Sequence, residues 1–133
     1  MKKPKNAESV STLKKKAWKL FSEWIRRRDS DWRGMVACVT CGIIKDYKQQ
    51  QAGHFIPGRR NSILFHERNV HAQCYGCNVM KQGNTVKYFR FMQKRYGDEV
   101  IEELEHLNTI DKQFTPQELK DLIEDLKIKI SKL

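Results

Sequence analysis

The chain has 133 residues, with 26 Lys and Arg against 16 Asp and Glu, and a formal net charge of +10. A length of this order predicts one domain with a modest core. The sequence has no apolar run long enough for a membrane span, and its Lys-rich start has no apolar stretch behind it, so we expect a cytoplasmic protein rather than a membrane or secreted one.

The positive charge is concentrated in the first three quarters of the chain. Residues 1–97 sum to +15, whereas residues 98–133 sum to −5. Such a surface attracts polyanions, because each phosphate that Lys or Arg neutralises releases counterions. Nucleic acid is therefore the first partner that the composition suggests, and a basic protein without such a partner is the alternative.

The first predicted element is an amphipathic helix that starts at Ser11, after a flexible basic arm at residues 1–10. Its apolar residues recur at spacings of three and four. They are Leu13, Ala17, Leu20, Phe21, Trp24 and Ile25. Ser11 or Thr12 can cap the helix, and its far end is the run Arg26, Arg27 and Arg28. Cations at that end either complement the helix dipole or contact phosphate.

Short apolar runs on both sides of residues 38–42 predict a hairpin that carries a metal-binding knuckle. Two further strands are expected at residues 53–56 and 69–73. The loop between them contains Arg59 and Arg60, which are either a phosphate grip or merely solvated.

The last part of the chain is predicted to be helical. One helix follows Cys77, breaks around residues 83–84 and stops at Gly97, and an acidic helix follows at residues 98–107. A third helix opens on a capping box at residues 115–118. Its apolar stripe either packs on the body or makes a homodimer. We divide the chain into the arm, a domain at residues 11–97 and a helical extension at residues 98–133.

Four cysteines form two C-x-x-C pairs, Cys38 with Cys41 and Cys74 with Cys77. Each pair lets two thiolates in one tight turn reach the same ion, and two pairs complete a tetrahedral Zn²⁺ shell. Since four thiolates leave no position for water, the predicted zinc is structural and contributes to folding. The zinc would join the two ends of the segment between the pairs.

The order of polar residues between the cysteine pairs resembles that of HNH nucleases. The segments RRRDSDWRGMVACVTCG, AGHF, HERNVHAQCYGCN and KQGN together are similar to the NinG (Rap) recombination nucleases of lambda-type phages, over about residues 21–96. The resemblance implies an α+β fold with a zinc-clamped ββα-metal (HNH, His-Me finger) core between flanking helices. It also implies a metal-dependent endonuclease that cuts branched DNA, such as Holliday junctions and flaps, in the host cytoplasm during phage recombination.

Three residues occupy the positions that give HNH enzymes their name. His54 is the expected general base, because imidazole titrates near neutral pH. Asn78 is the expected oxygen ligand of a catalytic Mg²⁺ or Mn²⁺, and Asn69 by analogy holds the backbone of the histidine in place. The alternatives are an ordinary strand histidine for His54 and a helix cap for Asn78.

Gly53 marks a departure from the HNH pattern. Many HNH enzymes have a metal-binding Asp immediately before the histidine, whereas Gly53 has no side chain. The resemblance leaves Glu67 and His71 as candidates to contact the metal or the hydrolytic water, because both fit the family pattern HE-x-N-x-HAQC.

Two functional hypotheses follow from these observations. The first is the nuclease, with DNA contacts from Arg59, Arg60, Lys81 and the three arginines of residues 26–28. The second is a non-catalytic, zinc-dependent DNA-binding module for recombination or regulation, which explains the charge and the cysteines and is favoured by Gly53. The second hypothesis does not explain why His54, Asn69 and Asn78 fall on HNH positions.

Overall fold

The structure, a computed structural model, describes residues 8–133. Its elements in chain order are α1 (Val10–Arg28), β1 (Met35–Ala37), β2 (Ile44–Asp46), a 3₁₀ turn (Tyr47–Gln49), β3 (Gln51–His54), α2 (Asn61–Leu64), β4 (Val70–Gln73), a π-helical turn (Gly76–Met80), α3 (Thr85–Tyr96), α4 (Asp98–Leu107) and α5 (Pro116–Ser131). The predicted α+β class is confirmed. Residues 1–7 of the predicted arm lie outside the described part of the chain.

The strands form two separate antiparallel hairpins. β1 pairs with β2 and carries the first cysteine pair in its turn, as predicted. β3 pairs with β4, with Gly53 opposite His71 and His54 opposite Val70. β3 begins and ends two residues earlier than predicted, because beyond His54 the amide of Ile56 bonds to the Asn69 side chain instead of to a strand partner.

Helix α1 buries Leu13, Ala17, Phe21 and Ile25, which recur every four residues along one face. The helix begins one residue before the predicted Ser11, and its cap lies two or three residues before the predicted Ser11 or Thr12. Ser9 is the cap, and its hydroxyl accepts a hydrogen bond from the amide of Thr12 at 3.1 Å, so that the helix begins at Val10.

Helix α5 packs along α1. Its predicted capping box is present. Leu119, Ile123 and Leu126 are buried, the first two against Leu13 and Ala17 and the last in a cluster with Phe21 and Ile25. Of the two alternatives for the apolar stripe, packing on the body is therefore the one that the structure shows. A homodimer stays a prediction.

Helices α3 and α4 form a third apolar cluster, in which Tyr88 and Met92 meet Ile101 and Leu104. The break before α3 and its end at Gly97 are confirmed. The π-helical turn and α3 follow β4 directly. The hairpin of β3 and β4 therefore precedes the second cysteine pair, and α3 follows it. No helix in the described residues is both long and apolar enough to cross a membrane.

Candidate functional site

The two predicted cysteine pairs come together. The Sγ atoms of Cys38, Cys41, Cys74 and Cys77 all lie within 4.8 Å of one another, and three of the four residues are buried. Four thiolates at about 2.3 Å from one Zn²⁺ would be about 3.8 Å apart, and the Cys41 and Cys74 sulfurs are 3.7 Å apart. The cluster could therefore hold a metal ion such as zinc with little rearrangement.

His54 and Asn78 line the same cleft, which has a volume of about 220 Å³. Arg59, Gln82 and Thr85 are also in its wall. None of the described residues that line the cleft carries a carboxylate. The cleft therefore brings together the predicted base and the predicted metal ligand, but with neutral and basic neighbours only.

The ring of His54 is held on two sides. It stacks on Trp18 of α1, with 5.0 Å between ring centroids and 17° between planes. Its Nε2 lies 3.2 Å from the carbonyl oxygen of Leu64. Because a carbonyl only accepts, we assign the hydrogen to Nε2, which leaves the lone pair on Nδ1. Burial lowers the pKa of His54 below its usual 6.5, Arg59 lowers it further, and the Leu64 carbonyl opposes both.

Asn69 is fully buried and bonds to the segment just after His54. Its Oδ1 accepts from the amide of Ile56 at 2.9 Å, and its backbone carbonyl accepts from the amide of Phe55 at 2.7 Å. The role implied for Asn69 requires bonds of this kind. That these bonds serve catalysis stays a prediction.

His71 does not face the cleft. Its Nδ1 lies 3.0 Å from the hydroxyl of Tyr88 and its Nε2 2.6 Å from that of Tyr96. The Tyr88 hydroxyl donates to the carbonyl of Gly53 at 2.7 Å. Since that hydrogen is used, His71 must donate from Nδ1 to Tyr88 and accept at Nε2 from Tyr96. Both ring nitrogens are occupied, so this geometry contradicts the expectation that His71 contacts the metal or the water.

Glu67 also lies away from the cleft. Its Oε1 is 2.6 Å from Nζ of Lys129 on α5, and the side chain is exposed. This ion pair points Glu67 toward the C-terminal helix. The structure therefore places neither of the two candidates for the missing carboxylate at the cleft.

The three arginines at the end of α1 make contacts within the protein. Arg26 donates to the carbonyl of Tyr47 at 2.8 Å, and Arg27 pairs with Glu23 at 3.3 Å. Arg28 donates to the carbonyls of Glu67 at 2.8 Å and Val70 at 3.2 Å. These bonds tie the helix end to the loops around both hairpins, and they favour the structural interpretation over phosphate contact.

The loop arginines differ from each other. Arg59 is exposed, has a positive φ of 52°, and holds its guanidinium 4.5 Å from the ring centroid of Trp18 at the rim of the cleft. Arg60 pairs with Asp111 at 2.9 Å. Lys81 is exposed at the end of the π-helical turn. Arg59 is thus the predicted DNA-contacting residue that the structure puts beside His54.

The sequence analysis missed Trp18 as the residue stacked on His54, Tyr88 as the donor to the Gly53 carbonyl, and Gln73 as the side chain that lies against Gly53. Trp18 has no local signal, because it meets a residue 36 positions later. Gln73 had one, since it shares a strand face with His71 and stands diagonally across from Gly53.

The buried His71 predicts a specific dependence of stability on pH. Burial lowers its pKa to about 3, and Arg28 contributes in the same direction. In the unfolded chain the His71 imidazole has its usual pKa near 6.5, so as the pH falls it takes up a proton before the folded chain does. The free energy of unfolding is therefore highest above pH 6.5 and decreases as the pH drops toward 3. When the pH is lowered from 7.5 to 5.5, we expect the free energy of unfolding to decrease by ~1.4 kcal/mol more in the wild type than in His71→Gln. Urea unfolding of both proteins at the two pH values measures this, and equal losses would contradict it.

Together, the fold and the site define a small α+β protein with two antiparallel hairpins and a four-cysteine cluster that could bind a metal such as zinc. Comparison with known proteins narrows this class. A family model described as "Bacteriophage Lambda NinG protein" matches residues 1–133. The chain belongs to the bacteriophage lambda NinG family.

Individual relatives agree with this membership. The chain is 36% identical over 92 residues to protein ninG of Escherichia phage lambda, and the match covers 68% of this chain and 43% of that protein. It is 35% identical over 92 residues to protein ninG of Salmonella phage P22, with the same shares covered. The match thus spans less than half the length of these curated relatives. No solved structure matches the chain significantly.

Proposed function

We propose that the protein is a metal-dependent DNA endonuclease of the HNH class that acts on branched DNA in phage recombination. The observation that carries the proposal is the geometry of His54. Its Nε2 is engaged by Leu64, which leaves Nδ1 as the basic nitrogen of a residue that lines the same cleft as Asn78. The membership of a phage family and the net charge of +10 support the same conclusion.

His54 performs the proton transfer in this proposal. Its lowered pKa keeps the imidazole neutral at pH 7, so Nδ1 can take a proton from a water molecule as that water attacks the phosphorus. The bond from phosphorus to the 3′-oxygen breaks, and the products carry a 5′-phosphate and a 3′-hydroxyl. A bound Mg²⁺ or Mn²⁺ would neutralise the charge that develops on the phosphate and the leaving oxygen. Asn78 offers an amide oxygen, which such hard cations accept.

The basic residues near the cleft suggest where the DNA backbone lies. Arg59 lines both the cleft and a neighbouring groove of about 460 Å³, whose wall also contains Lys14, Lys15 and Trp18. A phosphate chain that crosses the cleft would continue into this groove beside three cations. A symmetric junction would be cut most simply by a homodimer, which sedimentation over a concentration series tests.

The proposal predicts cleavage that depends on a divalent ion. Linear duplex, flap and four-way junction DNA are each incubated with the zinc-loaded protein in Mg²⁺, in Mn²⁺ or in EDTA. We expect cutting of the branched substrates in Mg²⁺ or Mn²⁺ and none in EDTA, with 5′-phosphate ends on the products. If all three substrates remain uncut under every condition, the nuclease proposal is refuted.

A second function is favoured by one observation, which is the lack of a carboxylate among the described residues of the cleft wall. It is a zinc-dependent DNA-binding module without catalysis. It predicts salt-sensitive binding of DNA, with no products, in the same experiment.

A further inference from the structure

The space that a side chain at position 53 would need is already filled. A Cβ built on Gly53 would lie 1.9 Å from Oε1 and 2.7 Å from Cδ of Gln73, and 3.1 Å from Oδ1 of Asn78. Contacts below 3 Å are not tolerated, so an aspartate cannot stand at position 53 while Gln73 keeps this conformation. The glutamine side chain occupies the place where an aspartate before the histidine would begin.

The orientation of the Gln73 amide is fixed by its nitrogen. Gln73 is fully buried, and its Nε2 donates to the carbonyl of Gly83 at 2.9 Å and to the hydroxyl of Thr40 at 3.2 Å. Because the Gly83 carbonyl only accepts, the oxygen must be on the opposite side, toward Gly53. This Oε1 has no hydrogen-bond donor among the described residues. A buried amide oxygen without a partner is unfavourable unless something else binds it.

We infer that Oε1 of Gln73 and Oδ1 of Asn78 are paired ligands of the catalytic divalent cation. Both distances are measured from one point, so the two oxygens are at most about 5 Å apart, a bound that allows the roughly 4 Å or less between two oxygens bound to one Mg²⁺. The inference rests on the proposed function for the purpose of the cation. β4 would then supply the ligand that β3 lacks, and neither Glu67 nor His71 is needed.

An unpartnered amide oxygen does not by itself make a ligand, as Gln50 shows. Gln50 is also buried, with Nε2 bonded to the carbonyls of Val36 at 2.9 Å and Ile43 at 3.1 Å, and its Oε1 too lacks a donor among the described residues. Neither glutamine is among the described residues that line the cleft of His54 and Asn78. The feature specific to Gln73 is the second oxygen beside it, and Gln50 provides a control with the same chemistry.

The test is Mn²⁺ affinity, measured by electron paramagnetic resonance on the zinc-loaded 133-residue chain without DNA. We expect Gln73→Ala to weaken Mn²⁺ binding by about tenfold or more and Gln50→Ala to leave it unchanged. The double variant Gly53→Asp with Gln73→Ala is expected to restore the affinity, because the shorter side chain at position 73 makes room for the carboxylate. A purely structural glutamine predicts no such recovery.

Unchanged Mn²⁺ affinity in folded Gln73→Ala would overturn the inference, as would a double variant that folds but binds no better than Gln73→Ala. If Gln73→Ala alone does not fold, the comparison of the double variant with wild type decides. The two proposals fail separately. If Gln73 is not a ligand, the wild type can still cut DNA, and only the inference fails. If the wild type binds Mn²⁺ through Gln73 but cuts no DNA, only the nuclease proposal fails.

Discussion

Replacing His54 with alanine is expected to lower the rate of metal-dependent DNA cleavage by about 10² to 10⁴-fold, the usual contribution of a general base. The substitution removes the nitrogen that takes the proton from water, while the cleft keeps Asn78 and Arg59. The measurement is a single-turnover rate on the branched substrate that the wild type cuts fastest. DNA affinity, measured by fluorescence anisotropy, is expected to change little.

Two controls separate chemistry from structure in this experiment. His106→Ala removes an exposed histidine on α4 and should cut at the wild-type rate. Added imidazole should recover part of the activity of His54→Ala, because a free base can enter the space that the side chain left. Cleavage at the wild-type rate by His54→Ala would show that another group is the base.

If the four cysteines hold the predicted zinc, replacing Cys77 with serine is expected to release it and to unfold the region around both hairpins. Structural Zn²⁺ sites supply ~10 kcal/mol or more of apparent binding energy to folding, which exceeds the total stability of many domains of this size. Cys77 is buried, and its pair follows β4 while the other pair lies between β1 and β2. Loss of the ion therefore separates two segments that the sequence places more than 30 residues apart.

Two measurements test this effect. Elemental mass spectrometry gives the zinc content, and circular dichroism follows thermal unfolding. Tyr75→Ser is the matched control, since Tyr75 is an exposed residue in the same turn between the two cysteines. We expect the control to keep one zinc per chain and the wild-type unfolding midpoint. A Cys77→Ser protein that melts like the wild type and retains stoichiometric zinc would rule out the predicted site.

The parts of the fold that were predictable are those with local causes. The four-residue repeat of α1, the capping box of α5 and the stop at Gly97 each depend on neighbours within one or two turns. The cysteine pairs were also predictable, because tetrahedral coordination demands that distant pairs meet. The end of β3 was not, since it depends on a bond from Ile56 to Asn69 across a loop.

The candidate site was predictable in its residue types but not in its contacts. His71 was expected at the metal, and its actual partners lie 17 and 25 residues further along the chain. Glu67 was expected near the cleft but meets Lys129, which is 62 residues away. Spacing within a motif identifies which side chains share a segment. It does not tell which of them a later helix covers.

The chain of hydrogen bonds from Tyr96 through His71 and Tyr88 to Gly53 admits only one direction of donation. Its last acceptor is a carbonyl oxygen, which cannot pass a hydrogen on. Burial raises the pKa of Tyr88 well above its usual value, so the hydroxyl does not release its hydrogen either. These hydrogen bonds therefore cannot conduct a proton, and a proton on His54 has no route into the core through His71. In the proposed mechanism, a proton taken up by His54 would therefore leave through solvent or with the departing strand.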